Sequence, residues 1–160
     1  MKIFIAADHT GFALKYELIE YAGMLGYEIE DMGAQELSPE DDYPDMVVPC
    51  AQKVAATPGT IGIVIGGSGQ GEAMCANRVK GARCALFYGQ ATAISAVDAE
   101  GAPGLDGFDM VRLTREHNDA NMLALAARFL SADDAKEAVR LFIETPFEGA
   151  ARHVRRIGKF

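Results

Sequence analysis

A carboxylate stands inside a glycine-rich turn of this chain. Residues 66–72 read GGSGQGE and directly follow the apolar run TIGIVI at 60–65. A strand-to-helix turn of this kind presents backbone N–H groups to an anion. The dinucleotide fingerprint G-x-G-x-x-G accounts for Gly67 and Gly69, but its third glycine falls at Glu72. The phosphate-loop pattern G-x-x-x-x-G-K-[ST] accounts for Gly66 and Gly71, but Glu72 stands at its lysine and Ala73 at its hydroxyl. Both motifs fail at the same residue. A carboxylate there repels the nucleotide phosphate that a lysine would hold. N–H donors beside one carboxylate suit instead an oxyanion that develops next to a carbon being deprotonated. A tight turn followed by an ordinary helix start is the structural alternative, and spacing alone leaves both open.

Two other segments could do chemistry. Asp8-His9-Thr10-Gly11 closes the first apolar run, and residues 115–121, REHNDAN, precede the last one. Asp8 also reads as a helix cap and His9 as a surface residue. Near the C-terminus, Arg152 and Arg156 are four residues apart and share one helix face. Two guanidiniums on one face can grip a phosphate monoester, although a solvated basic tail has the same composition. His117 lies among Glu116, Asn118 and Asp119 without the spacing of metal ligands. Cys50, Cys75 and Cys84 are an odd number without C-x-x-C spacing and read as reduced thiols.

The elements that must position these residues alternate. Strands are expected at 2–7, 27–31, 60–65, 83–87 and 121–126. Helical spacing of Phe12, Leu14, Leu18, Ile19, Ala22 and Leu25 ends at Gly26, and Pro44 opens a helix to about Ala56. A helix follows the glycine turn to about Val79, and another begins near Gly89. Residues 100–109, with three Gly and a Pro, interrupt it as a loop or lid before it resumes to about His117. Ser131 caps a helix that ends before Pro146, and a short basic helix begins at Gly149. Five strands alternating with helices imply a three-layer α/β/α Rossmann-like sandwich around a five-stranded parallel sheet. Its ligand site belongs at the carboxyl ends of the strands.

One domain spanning 1–160 is expected from the length. The net charge of −8, from 15 Lys+Arg against 23 Asp+Glu, argues against nucleic acid and acidic lipid as partners. No apolar run is long enough for a membrane span, and Asp8 and His9 break any leader-like start, so a cytoplasmic protein is expected.

Taken together, DHTGF (8–12), DYPD (42–45), GGSGQGEAMCANR (66–78), GARCAL (81–86), REHNDANMLAL (115–125) and RHVRR (152–156) resemble the B-type ribose-5-phosphate isomerases. That family includes galactose-6-phosphate isomerase subunits. The resemblance implies interconversion of an aldose phosphate and a ketose phosphate through a cis-enediolate. Glu72 matches the base of the subgroup with glutamate there; another subgroup carries a cysteine where this chain has Gly66. Gly67, Ser68, Gly69 and Gly71 match the anion hole, and His117 the residue that helps to open the furanose ring. Asp8, Tyr43 and Asn118 match hydroxyl contacts. His9, Arg128, Arg152 and Arg156 match the phosphate grip, and Cys75 falls where the family packs small residues. Also implied are a homodimer, sometimes a tetramer, with sites shared between chains, a basic helix at 149–160 packing on the partner, and neither metal nor cofactor. Relative to the family, roughly fifteen residues around 96–111 are extra. They leave open an isomerase for a tetrose or hexose phosphate, and a phosphate-binding protein without turnover is the more distant alternative.

Overall fold

Strict alternation of side chains along buried strands sorts this chain into layers. The computed structural model describes residues 1–160. Strands β1 (Lys2–Ala7), β2 (Glu28–Asp31), β3 (Ile61–Gly66), β4 (Cys84–Phe87) and β5 (Met122–Ala126) form one parallel sheet in the order β2-β1-β3-β5-β4. Ile3, Ile5, Ile63, Ile65, Leu123 and Leu125 point to one face and meet α1 (Phe12–Met24), α4 (Asp109–Asn118) and α5 (Ala132–Glu144). Phe4, Ala6, Val64, Met122 and Ala124 point to the other and meet α2 (Pro44–Ala56) and α3 (Gln70–Ala76). The result is the expected three-layer sandwich. The last helix, α6 (Ala151–Ile157), lies against α4. No helix is long and apolar enough to cross a membrane.

Local signals hold at most element ends. Gly26 turns the chain after α1 at φ +86°. Ser131 caps α5 by accepting a hydrogen bond from the Asp134 N–H at 3.0 Å. Pro49 is accommodated inside α2, which starts at Pro44 as expected. The helix after the glycine turn is shorter than its apolar pattern. It stops at Ala76 because the Asn77 side chain donates to the Ala73 and Cys84 carbonyls and accepts from the Cys84 N–H, tying the chain to β4.

The helix expected from Gly89 does not form. Residues 88–108 contain neither helix nor strand. Ile94 and Leu105 are exposed there, so an amphipathic helix would have no surface to lie on. The segment is tied down at points instead. Gln90 donates to Asp134, and Asp106 accepts from the Phe108 N–H and from Arg112 just as α4 begins. Those donors hold the Asp106 carboxyl down at about 2.

A buried cation joins α1 to the sheet. Lys15 is 0% exposed, and its Nζ donates to Asp31 at 2.7 Å, at the end of β2, and to the Ala34 carbonyl at 2.6 Å. The apolar spacing of α1 gave no hint of it. Removing one partner of a buried pair strands the other charge. Asp31→Ala is therefore expected to cost about 3 kcal/mol, at the low end for such pairs because the Asp31 side chain keeps 21% exposure. Denaturant unfolding of the variant measures it, and a loss below about 1 kcal/mol would place the pair with ordinary surface ion pairs.

Candidate active site

Sheet order decides where the site lies. From β1 the chain crosses to β2 on one side, while β3 leads to β4 and β5 on the other. The carboxyl ends of β1 and β3 therefore open a crevice at the switch point. The turn after β1 delivers Asp8 and His9 to it, and the turn after β3 delivers residues 67–72. Beside β3, β5 contributes Arg128, whose backbone N–H donates to the Gly67 carbonyl at 3.1 Å. Asp8, His9, Tyr43, Gly67, Ser68, Gly71, Glu72 and Arg128 line one cleft of about 560 Å³.

The glycine turn is shaped around a carboxyl group. Gly69 sits at φ +69°, which favours glycine, and it starts α3. Glu72 follows in the first turn and is only 4% exposed. A Cβ on Gly66 would overlap the Glu72 carboxyl group, so the side chain occupies the space that a residue larger than glycine would fill. Burial pushes the Glu72 carboxyl upward and the charge of Asp8 adds to this, against the lowering effect of the Glu72 backbone N–H. A carboxylate that is costly to ionise yet faces a cleft has the properties of a general base. Burial, followed by the charge of Glu72, also raises the Cys75 thiol, which disfavours a thiolate beside the glutamate.

Asp8 accepts from the Thr10 N–H at 2.9 Å, the Thr10 hydroxyl at 2.5 Å and the Gly11 N–H at 3.3 Å, which fixes the β1–α1 turn. His9 is held by Asp41, 2.6 Å from its Nδ1. That hydrogen bond raises the His9 imidazole above its usual range against the opposing effect of burial.

The remaining expected residues stand elsewhere on the chain. His117 and Arg152 line a separate hollow of about 340 Å³ together with Glu100 and Glu148. The rings of His117 and His153 stack at 4.3 Å, and His153 is 4% exposed. Burial first, then the charges of His117 and Arg152, lower the His153 imidazole. Arg152 reaches Glu100 at 3.2 Å and Glu148 at 3.5 Å. Arg156 lies exposed one helical turn further on. Asn118 faces a third hollow of about 660 Å³, beside Ile157 and Phe160. The phosphate grip implied by the resemblance is thus divided: His9 and Arg128 stand with Glu72, Arg152 and Arg156 with His117. The segment expected to be extra meets the second group through Glu100 and lines no part of the Glu72 cleft. Two clusters bring potential metal-ligand atoms within 4.8 Å of one another, His117-Glu148-His153 and Asp8-His9-Asp41. Hydrogen bonds already engage Asp8 and Asp41, and the Arg152 Nε donates to His153 Nε2 at 3.1 Å, placing a cation where a metal would sit.

The Ribose/Galactose Isomerase family matches residues 3–103 and 107–160. The chain belongs to the ribose/galactose isomerase family. Among its relatives, ribose-5-phosphate isomerase B of Mycobacterium tuberculosis (strain CDC 1551 / Oshkosh) is 38% identical over 157 residues, 98% of this chain and 86% of the mycobacterial one. The structure of ribose-5-phosphate isomerase B from Mycoplasma genitalium with bound ribulose-5-phosphate superposes with a TM-score of 0.84 at 34% identity, over 99% of this chain and 92% of that one. Type B ribose 5-phosphate isomerase from Trypanosoma cruzi gives 0.84 at 30% identity, over 99% and 95%. Of the segment expected to be extra, around 96–111, the family match leaves only 104–106 outside.

Three residues that hold these clusters together were not among the expected site residues. Thr10 closes the Asp8 turn, Asp41 holds His9 across 32 positions, and His153 stacks on His117 across 36. Asp41 and His153 carried a visible signal, the acid run DDYPD and the RHVRR motif, but not their pairing.

The raised carboxyl of Glu72 has a consequence for stability. The folded state binds this proton more tightly than the unfolded chain, so ionised Glu72 opposes folding above its folded-state pKa and ceases to do so as pH falls through it. Glu72→Gln is expected to raise Tm by a few degrees, on the order of 2–4 °C, near pH 7, with a gain that shrinks toward pH 4. Calorimetry across that range checks it; an equal or negative shift at every pH would mean that burial of the charge is not costly.

Proposed function

We propose that this chain interconverts ribose 5-phosphate and ribulose 5-phosphate, with Glu72 as the base. The observation that carries this reading is a buried carboxyl at the floor of a cleft whose other walls offer cations and N–H donors. Ribulose-5-phosphate in the Mycoplasma genitalium relative supports the substrate class. Glu72 takes the proton from C2 of the open aldose, and a cis-enediolate forms. The protonated carboxyl returns the proton to C1 while the O2 hydroxyl proton passes to O1, giving the ketose. Negative charge on the enediolate oxygens meets the turn at Gly67, Gly69 and Gly71 and the Ser68 hydroxyl. Asp8 and Tyr43 take sugar hydroxyls, and His9 and Arg128 take the phosphate. One proton moves between adjacent carbons, so no cofactor is needed.

His117, Asn118, Arg152 and Arg156 are assigned to the site of a second copy. They complete ring opening, hydroxyl binding and the phosphate grip in trans. The supporting geometry is that none of the four lines the Glu72 cleft of its own chain. Helix α6, within the expected 149–160 segment of a single 1–160 domain, then faces the partner in a closed two-fold dimer. Its exposed Val154 and Phe160 suit a contact. A dimer of dimers is compatible with this arrangement. The three free cysteines fit a reducing cytoplasm. The extra segment favours one further reading, an isomerase of a tetrose or hexose phosphate, because Glu100 lies on Arg152 and can set where a phosphate is held.

Loss of a positioned base costs roughly 10²–10⁴ in rate. Glu72→Gln is expected to lose that much isomerisation, together with solvent deuterium exchange at C2 of ribose 5-phosphate. Near wild-type turnover would remove Glu72 from the mechanism, and faster exchange with four- or six-carbon phosphates would reassign the substrate.

Sharing of the site has its own test. Glu72→Gln chains and Arg152→Ala/Arg156→Ala chains are each expected to be nearly inactive. A mixed dimer pairs both defects in one site and leaves the other intact, so activity should return toward half of wild type. No return, once mass spectrometry confirms mixed dimers, would assign the arginines to their own chain.

A further inference from the structure

We propose that Asp41 is a positioning residue for His9, clamping one edge of its ring so that the other edge meets the anionic end of the substrate. This rests on the isomerase reading given above. Two contacts make the clamp. Asp41 Oδ1 lies 2.6 Å from His9 Nδ1 and accepts the His9 backbone N–H at 3.2 Å. Ring and backbone are thereby fixed by the same oxygen. Nδ1 must carry a proton to serve that carboxylate, which leaves Nε2 as the nitrogen directed to the cleft that His9 lines with Arg128. The orientation is what a proton-donating Nε2 needs to share an anion with the guanidinium.

The other carboxylate oxygen has no competing partner in the chain. Asp41 Oδ2 is buried and has no hydrogen-bond partner. A buried oxygen without a partner carries the full cost of lost hydration. Both hydrogen bonds of the Asp41 side chain therefore run through Oδ1, and both go to His9. Asp41 therefore stabilises the imidazolium as well as its orientation. The groups around His9 are Asp41 and Asp8, which favour its charged form, and burial and Arg128, which oppose it. Glu72 and Tyr43 line the same cleft. Removing Asp41 leaves burial and Arg128 opposed by Asp8 alone.

Asp41→Asn tests this, because asparagine keeps the shape and removes the charge. Two readouts are used: NMR titration of the His9 ring, with and without inorganic phosphate, and the ratio of variant to wild-type KM for ribose 5-phosphate against pH. The His9 titration midpoint is expected to fall in the variant, and phosphate to raise it less than in wild type. The KM ratio should be smaller near pH 5.5 than near pH 7.5, where it should reach about tenfold, the worth of one charged hydrogen bond. The change in kcat should be smaller. In a His9→Asn background, adding Asp41→Asn should leave KM unchanged. An unmoved midpoint, or a KM ratio equally raised at both pH values, would overturn the proposal and leave the isomerase reading standing. If wild type has no isomerase activity, that reading falls, and the titration with phosphate still decides the role of Asp41.

Discussion

The volume beside Gly66 can hold one group, and Glu72 holds it. Everything else in the site follows from that exclusion. The carboxyl group lies where a Cβ on residue 66 would be, at the carboxyl end of the central strand β3. A cysteine at 66, where the resemblance implies one for another subgroup of the family, would compete for the same space. The two side chains are therefore steric alternatives on one scaffold. Gly69, at positive φ, starts α3 so that its third residue turns back under the loop. Charge burial at Glu72 is unfavourable, and the fold supports it with close packing on both sides of the strand.

The other polar residues of the cleft are held by neighbours within their own turn or across the crevice. Asp8 is fixed by Thr10 and Gly11, and His9 by Asp41. Arg128 is tied at its backbone to Gly67, with its guanidinium against the same residue. Such fixed groups lose little conformational freedom on binding, which is the condition for electrostatic stabilisation of a developing charge. The one imperfection is the unpartnered oxygen of Asp41. The other oxygen of that carboxylate makes both of its hydrogen bonds to His9.

The sheet, its layers and the Glu72 loop were legible in the sequence because each rests on a local signal. Strand periodicity, a capping serine and a glycine cluster broken by one carboxylate are all read within a dozen residues. What was not legible depends on contacts distant in sequence. Lys15 looks like a solvent-facing helix residue until Asp31 and the Ala34 carbonyl close over it. The supposed helix from Gly89 has ordinary local propensity and fails because no surface waits to bury Ile94. His153 reads as part of a basic tail until it stacks on His117. The division of the expected site into two groups has the same cause: a spacing pattern names residues but does not say which chain they serve.

Charge gives that division a physical logic. A protein of net charge −8 must bind an anion against its own average field. At physiological salt, fields fade over about 8 Å, so the nearest charges decide. On the free chain Arg152 is engaged by Glu100 and Glu148, and Arg128 stands near Asp8 and Glu72. Arg152 and Arg128 each therefore stand beside carboxylates. Bringing Arg152 and Arg156 of one copy to His9 and Arg128 of another would concentrate four cationic groups on one phosphate, enough to outweigh the local carboxylates. The dianion would then find full complementarity only in the assembled site, with the base in place. Dispersing the cations in this way would keep other phosphates from binding where no proton can be moved.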